Sequence, residues 1–545
     1  MEMSVTERVG AKGSMIAPLR TPLFRRIWLA SLLSNLGFMF LAVAAAWQMT
    51  LLTPQADMVA LVQTALMSPM MLLSIPAGAL ADMYDRRKIG LVSLCLSLLS
   101  ATALATSTLF GLVTPWVILG FCFLIGTGMA LFAPAWQASV GEQVPRETLP
   151  QAVALNVISF NIARSFGPAI GGIVVAVAGA VTAFASTAMG YLPLLLVMFL
   201  WKREPVPSRL PPERIDRAVS AGIRYVFHSP PIRVVLIRTF TFCFAGGSVA
   251  ALLPLVARNL LHGTAEIFGL LLGCFGIGAV LGAISLNRIR RSFSEEATVS
   301  LAAIVVSASI ATIAMSGYAP LTCLALIVAG TGWMIALTLL NVVIQTSAPR
   351  WASGRLLATY NAASAGGIAL GSWFWGYIAE EFDVKHALFG SAGLLTATLL
   401  LALRLRIAKI PETDREPVKL TDPEVNLALT GRSGPIVVEL DYRVPANAAR
   451  EFYGRMLAVR SVRCRNGAFD WSIARDIQDP EIWVERFHCP TWHDYLRQRD
   501  RNTPEEMQVH LDAHSFLKDG HEMSVRRLLE RPFGSVRWKE DAPDN

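Results

Sequence analysis

The chain has 545 residues, 53% of them hydrophobic and 16% charged, with a mean hydropathy of +0.48. Soluble domains carry about 25% charged residues, so a single soluble enzyme, a disordered chain and a secreted disulfide scaffold are all excluded. The charge is split: residues 411–545 hold 44 Asp, Glu, Lys and Arg in 135 positions, with net −4, while residues 1–410 hold another 44, with net +12. The overall +8 therefore belongs to the apolar part and gives no ground for a nucleic-acid partner. The composition describes a polytopic membrane protein with a soluble domain attached.

In chain order, residues 1–26 form a polar, basic segment without a signal-peptide pattern. A bilayer core takes about 20 mostly apolar residues per helix, and twelve segments qualify: 27–50, 58–81, 89–110, 116–140, 151–177, 181–201, 233–257, 265–287, 298–317, 320–345, 354–379 and 384–404. These runs are too long for strands and lack their two-residue alternation. Basic residues set the orientation. Arg20, Arg25 and Arg26, then Arg86, Arg87 and Lys88, Arg146, Arg288, Arg290 and Arg291, Arg350 and Arg355, and Arg404, Arg406 and Lys409 all fall on one side, as do six more between 202 and 232. Only Arg258 and Lys385 fall on the other. Both termini, the 202–232 linker and the tail are thus expected in the cytoplasm. The domains expected are a first six-helix bundle (27–201), the linker (202–232), a second bundle (233–405), a further linker (406–434) and a soluble domain (435–545). None of the seven cysteines makes a C-x-x-C pair, and all read as small hydrophobes in a reducing compartment.

The two bundles repeat. At a constant offset of 204, Gly78-Ala79 falls on Gly282-Ala283, Arg86-Arg87 on Arg290-Arg291 and Gly126-Thr127-Gly128 on Gly330-Thr331-Gly332. Gly167 falls on Gly371 and Gly172 on Gly376. Two parallel six-span halves joined by a long loop are an architecture of secondary transporters, in which rocking of one half against the other exposes a midplane cavity to either side.

Between the second and third spans the chain reads Gly78-Ala79-Leu80-Ala81-Asp82-Met83-Tyr84-Asp85-Arg86-Arg87-Lys88. This resembles the cytoplasmic signature loop of the major facilitator superfamily. Gly167-Pro168-Ala169-Ile170-Gly171-Gly172 is similar to the G-P-x-x-G-G motif of its exporters. Ala218 to Val226, together with a cytoplasmic tail, resembles the enterobactin-exporter branch and the transmembrane secretion effector group. The resemblance implies a gating latch of Gly78, Asp82, Arg86 and Arg87, with Asp82 drawn to a helix N-terminus. It also implies a close-packing role for Gly167, Pro168, Gly171 and Gly172 in the fifth span. Two positions depart from the pattern: Met83 replaces a basic residue, and Cys122 stands where an arginine tied to proton coupling is expected. No carboxylate lies deep in a span, where a proton relay would use one.

One charge does lie deep. Arg164 sits about 13 residues into the fifth span and is expected to face the bundle interior, as an anchor for an anionic substrate, a gate or a structural arginine. Arg238, near a span end, is expected to snorkel. The spans lining such a cavity offer Asn35, Gln48, Trp136, Gln137 and Asn341 as further candidates. Aromatic walls with amide groups suit an amphipathic organic molecule better than a bare ion.

In the tail, strand-like stretches at Ile436–Val444, Phe469–Asp476, Ile482–Phe487 and Met523–Leu529 alternate with helical ones at Ala446–Val459 and Trp492–Arg499. The order βαββαβ predicts a ferredoxin-like domain. Arg465-Asn466-Gly467-Ala468, Asp479-Pro480, Glu485 and Thr491-Trp492 resemble the antibiotic-biosynthesis-monooxygenase-like group, whose domains pair as dimers. His510 and His514 have i,i+4 spacing but lack the glutamate of H-E-x-x-H, so neither a metal, a cofactor nor a catalytic residue is assigned.

The fold class expected is an all-α polytopic membrane protein of 12 transmembrane helices in two six-helix parallel repeats, plus a small α+β ferredoxin-like domain. The function expected is proton-coupled export of a small amphipathic compound across the bacterial inner membrane. The tail would serve as a dimerisation or regulatory module. The chain has no nucleotide-binding loop. The alternative is a siderophore or secreted-metabolite exporter whose tail acts enzymatically on the cargo.

Overall fold

The computed structural model describes residues 16–202, 215–347, 352–407, 423–518 and 523–530. The chain divides into two compact units. One comprises residues 1–207, 234–344 and 357–409; the other comprises 208–233, 345–356 and 410–545.

Among the described residues of the first unit, ten helices are long and apolar enough to cross a membrane. They begin with α1 (Pro22–Leu52), α2 (Ala56–Met83), α3 (Arg86–Leu109) and α4 (Pro115–Ser139). Helix α5 (Leu149–Leu200) is 52 residues long and holds two of the predicted spans. The chain turns between them at Gly179, whose φ of 78° and ψ of 172° leave the helical region at little cost to glycine. The second half continues with α7 (Pro230–Gly246), α8 (Ser248–Leu255), α9 (Ala265–Ser292), α10 (Glu295–Met315), α11 (Ala319–Ser347), α12 (Ser353–Glu381), α13 (Val384–Ala397) and α14 (Leu399–Arg404). Helix α12 carries the eleventh predicted span. It has 29 residues, but its Ser, Asn and Gly content keeps it out of the ten picked by hydropathy.

The seventh predicted span is found as one membrane-length stretch, Pro230–Leu260. A single turn residue, Gly247, whose φ of −61° and ψ of −19° stay helical, separates α7 from α8, and a π turn at Val256–Leu260 comes after it. Close packing requires glycine beside this turn: a Cβ on Gly246 would lie 2.5 Å from the Trp333 ring of α11. Large side chains such as Val177, Phe199, Ile284 and Met315 are exposed on the bundle surface. A bilayer, not water, is the solvent for such a surface.

The repeat is visible in packing. Gly126 of α4 abuts the Leu66 carbonyl of α2 at 2.5 Å, and Gly330 of α11 abuts the Phe275 carbonyl of α9 at 2.1 Å, each measured from a Cβ built on the glycine. Gly167 of α5 closes on Met39 of α1 at 2.6 Å, and its counterpart Gly371 of α12 closes on the Phe244 carbonyl of α7 at 2.4 Å. Small residues let helix backbones approach in lipid, where no hydrophobic force drives them together.

In the second unit, α6 (Ile215–Phe227) precedes a four-stranded antiparallel sheet of order β2-β3-β1-β4. Its strands are β1 (Ile436–Arg443), β2 (Phe469–Arg475), β3 (Ile482–Cys489) and β4 (Ser524–Leu529). Val438 pairs with Phe487 and Arg527, placing the alternating apolar side chains of β1 on the face covered by α15 (Ala449–Asn466). Val438, Leu440, Tyr442, Phe452, Met456 and Phe487 form the core. The opposite face carries charge pairs, Glu439 with Arg486 and Arg526 at 3.7 and 3.3 Å. The sheet order is that of the ferredoxin-like arrangement. Helix α15 runs seven residues past the predicted Val459, until Gly467 at φ 130° stops it. Helix α16 (Trp492–Asp500) is followed by α17 (Pro504–His514), an element the predicted order omits. Its start signal is a capping box between Thr503 and Glu506.

Candidate transport pathway

The signature loop is built by helix ends. Asp85 caps α3, its carboxylate accepting from the Arg87 backbone N–H at 2.8 Å. Arg86 Nη1 donates to the Ala138 carbonyl and to Glu142 Oε1, both at 2.8 Å, and its Nε donates to the Ala81 carbonyl at 3.4 Å. Arg87 donates to the Met198 carbonyl at 3.0 Å and to that of Phe199. The two arginines therefore bind the C-terminal ends of α2, α4 and α5, where carbonyls lack helical partners and the dipole favours a cation. All these contacts lie within the first half. The Asp82 side chain lies outside the described residues. Gly78 faces the second half, with a Cβ built on it 3.8 Å from that of Ala358.

The halves meet along two seams related by the repeat. On one, Gly172 of α5 faces Gly269 of α9, a Cβ on the former falling 2.2 Å from the latter's Cα. Gly276 faces the Ser165 carbonyl at 2.2 Å on the same seam. On the other, Gly376 of α12, the counterpart of Gly172, faces Ala60 of α2 at 2.4 Å and Asp57 Cα at 3.3 Å. Gly171 packs on Phe40 of α1 at 3.1 Å, while Pro168 is half-buried within α5.

Near Thr50 and Ala56 the two halves are also joined by polar contacts. Arg258 donates to the Thr50 carbonyl, and the Ala56 N–H at the start of α2 donates to Glu380 Oε2 at 2.5 Å. Trp47 stacks on Phe268 at 5.8 Å. Sequence reasoning missed Glu380. The signal was an acid at the end of α12 and a first turn of α2 whose Gln55 cap makes no side-chain bond.

The interior candidates separate. Arg164 is half-buried, with Tyr360 of α12 and Cys243 of α7 as titratable groups in electrostatic reach. Among the described residues it has no ion-pair partner. Tyr360 donates to the Leu337 carbonyl at 2.8 Å, so three helices of the second half converge beside Arg164. Asn35 donates to Ser31 Oγ at 3.5 Å, Gln48 and Asn341 are half-buried, and Trp136 stacks on Phe132 at 5.6 Å. Gln137 is exposed. The candidates thus do not gather at one point. Arg238 does not snorkel: it is buried and paired with Glu296 at 2.9 Å.

In the tail, Glu485 is fully buried. It accepts from the Tyr442 hydroxyl at 2.8 Å, Arg463 Nε at 3.1 Å and Trp471 Nε1 at 2.9 Å. Three donors offset the cost of burying this carboxylate. Burial and the neighbouring carboxylate push the Tyr442 hydroxyl well up. Burial, then Arg463, pushes His510 down to about 2, and His514 shifts the same way. His510 Nε2 is buried without a hydrogen-bond partner among the described residues. No group of three metal-ligating side chains forms among the described residues.

Two repeated six-span halves meeting on small-residue seams define a secondary transporter of the major facilitator fold, a multi-pass membrane protein and not an enzyme. Comparison with known proteins agrees. The chain is 28% identical over 403 residues to the enterobactin exporter EntS of Shigella boydii serotype 18, covering 70% of this chain and 92% of that one. It is 28% identical over 399 residues to the enterobactin exporter EntS of Citrobacter koseri, with the same coverage. Among solved structures it resembles a D-xylose–proton symporter (TM-score 0.56, 13% identity, 70% of this chain and 97% of that one). It likewise resembles the nucleoside transporter NupG (TM-score 0.55, 11% identity, 71% and 100%). The family model described as transmembrane secretion effector matches residues 13–533, and the chain belongs to that family.

Proposed function

We propose that this transporter exports a small amphipathic organic compound across the bacterial inner membrane, coupled to protons, with both termini and the C-terminal domain in the cytoplasm. The observation that carries the reading is the pair of repeat-related glycine seams, a hinge-like interface on which two rigid halves can rock. The export direction is supported by likeness to the enterobactin exporters along nearly their whole length. Gly78, Asp82, Arg86 and Arg87 serve as the cytoplasmic gate, and Gly167, Pro168, Gly171 and Gly172 as the packing surface of α5. Arg164 faces the cargo, with Asn35, Gln48, Trp136, Gln137 and Asn341 as secondary lining. The tail is a regulatory or dimerising module.

The test uses inverted vesicles holding an acid interior, challenged with amphipathic drugs and catechol siderophores. Collapse of the pH gradient by some compounds, weakened in Asp82→Asn and in Arg164→Gln, is expected. Transport of a compound without proton movement would overturn the coupling, and uptake in the opposite sense would overturn export.

A further inference from the structure

We propose that the C-terminal domain grips the linker between the two bundles, through Asp494 and Arg465, and thereby restrains their rocking. The occupant of the gripping surface is helix α6 of this same chain. Arg217, Ala221 and Tyr225 recur at four-residue spacing on one face of that helix. Ala221 and Tyr225 are buried, whereas Ile223 and Phe227 are exposed. Arg217 Nη1 meets Asp494 Oδ2 of α16 at 2.5 Å. The guanidinium of Arg465, in α15, lies 5.6 Å from the centre of the Tyr225 ring.

Both gripping groups are also held by partners within the C-terminal domain. Asp494 accepts from the Thr491 hydroxyl at 2.7 Å and pairs with Arg497 at 3.3 Å. Arg465 pairs with Glu506 at 2.6 Å, which fixes its plane for stacking. A third segment joins them: a Cβ on Gly222 of α6 would lie 3.5 Å from that of Arg355, in the first turn of α12. One folded unit therefore holds the chain that links the two halves and a loop of the second half. Rocking must either strain these contacts or release them. The inference rests on alternating access and on neither the cargo nor the ion.

The experiment uses the full chain in nanodiscs, so that failure of export or of proton coupling leaves it intact. Amide exchange of residues 215–227 reports the grip. Fluorophores introduced by unnatural amino acids at the exposed Leu112 and Tyr318, one in each half, report rocking by single-molecule energy transfer. Arg217→Glu is expected to speed exchange of α6 about ten-fold and rocking about five-fold. The swap of Arg217→Asp with Asp494→Arg should restore both. Tyr225→Ala, which leaves the C-terminal domain untouched, should move both in the direction of Arg217→Glu and keeps the test open where the swap does not fold. Unchanged exchange of α6 in both single variants would overturn the grip. A freed α6 with rocking unchanged or slower would overturn the restraint.

Discussion

The loop between α2 and α3 and its copy between α9 and α10 start from matching residues and end as different devices. In the first copy a helix ends at Met83 and the next begins at Arg86, so Arg86 and Arg87 stand in a first turn, against the positive end of the α3 dipole. They are held there by Glu142 and by the carbonyl ends of three helices. In the second copy α9 runs on to Ser292, so Arg290 and Arg291 stand in a last turn, where the dipole already favours them. Both are exposed, without an ion pair among the described residues. The position of Glu142 is Thr346 in the copy, and that of Asp82 is Leu286. The difference teaches that the repeat preserved the glycine seams and specialised the loops, the first being tied to three helix ends by its arginines.

The largest effect tests the preserved part. Gly172→Val and Gly376→Val should each lower transport ten-fold or more. Each inserts carbon where the opposing helix lies within 2.4 Å of even a Cβ, and overpacking of this kind costs about 1–3 kcal/mol or more. Transport rates and folded yield of the two variants check it. A tolerated Gly376→Val beside a defective Gly172→Val would show that the seams are not equivalent.

The specialised part predicts asymmetry. Arg86→Ala removes an ion-pair partner from the half-buried Glu142 and the donor to two helix-end carbonyls, and should lower stability by about 1–2 kcal/mol. Arg290→Ala removes an exposed, unpaired side chain and should change it by less than about 0.5 kcal/mol. Thermal unfolding of both variants in detergent decides. Equal losses would mean that the second loop carries contacts beyond those of its arginines.

How much of this was legible depends on the same contrast. The seams were, because glycine at a constant offset is a signal that survives without knowing any contact. The bend at Gly179 fell in the gap between two predicted spans, and α12 was found as a mostly apolar run despite its low hydropathy. Pairing at a distance escaped. Arg86 was placed beside the inner end of a span, but nothing in the 56 residues of chain from it to Glu142 says that they meet. Glu380 lies 324 residues from the amide it binds, so no local pattern announces it. Arg238 was expected to snorkel because its partner, Glu296, lies far along the chain on another helix. The docking of α6 was hidden for a further reason. Its stripe of Arg217, Ala221 and Tyr225 is two parts polar, and Asp494 and Arg465, far along the chain, are what give it partners.

The unduplicated C-terminal domain supplies a control region with a different sensitivity. His510 is buried and neutral, its pKa depressed far below that of an unfolded histidine by burial and then by Arg463, with His514 beside it. Because the unfolded chain binds the proton more readily, this stability is fully present above about pH 6.5 and is lost as pH falls below it, by up to about 1.4 kcal/mol per pH unit. The Asp476 carboxyl, held below its usual range by the backbone N–H groups of Asp479 and Gln478, titrates outside the window between about pH 6.5 and about pH 5. Amide exchange of β1 in the full chain, corrected for its intrinsic pH dependence, should rise between about pH 6.5 and about pH 5 while that of α4 does not. Replacing His510 with Gln should flatten that slope.

The smallest effect returns to the two loops and isolates the charge of a single cap. Asp85 accepts from the Arg87 N–H at 2.8 Å, and Ser294 accepts from the Ala297 N–H at 3.2 Å, so both helices begin with a capped donor. The capped turns differ in sign, Arg86-Arg87-Lys88 in one and Glu295-Glu296 in the other. Asp85→Asn keeps an acceptor and deletes the acid beside three bases, and should cost about 0.3–1 kcal/mol of α3 stability. Ser294→Asp adds an acid to a first turn that already has two, so the gain from the dipole should be cancelled by repulsion, leaving a change near zero. Amide exchange at residues 87–89 and 296–298 in the two variants reads the difference. A gain at Ser294→Asp matching the loss at Asp85→Asn would show that the dipole alone governs both caps. The expected inequality would show that the neighbouring charges do, and that the repeat diverged through the charged residues of the first turn while keeping the cap itself.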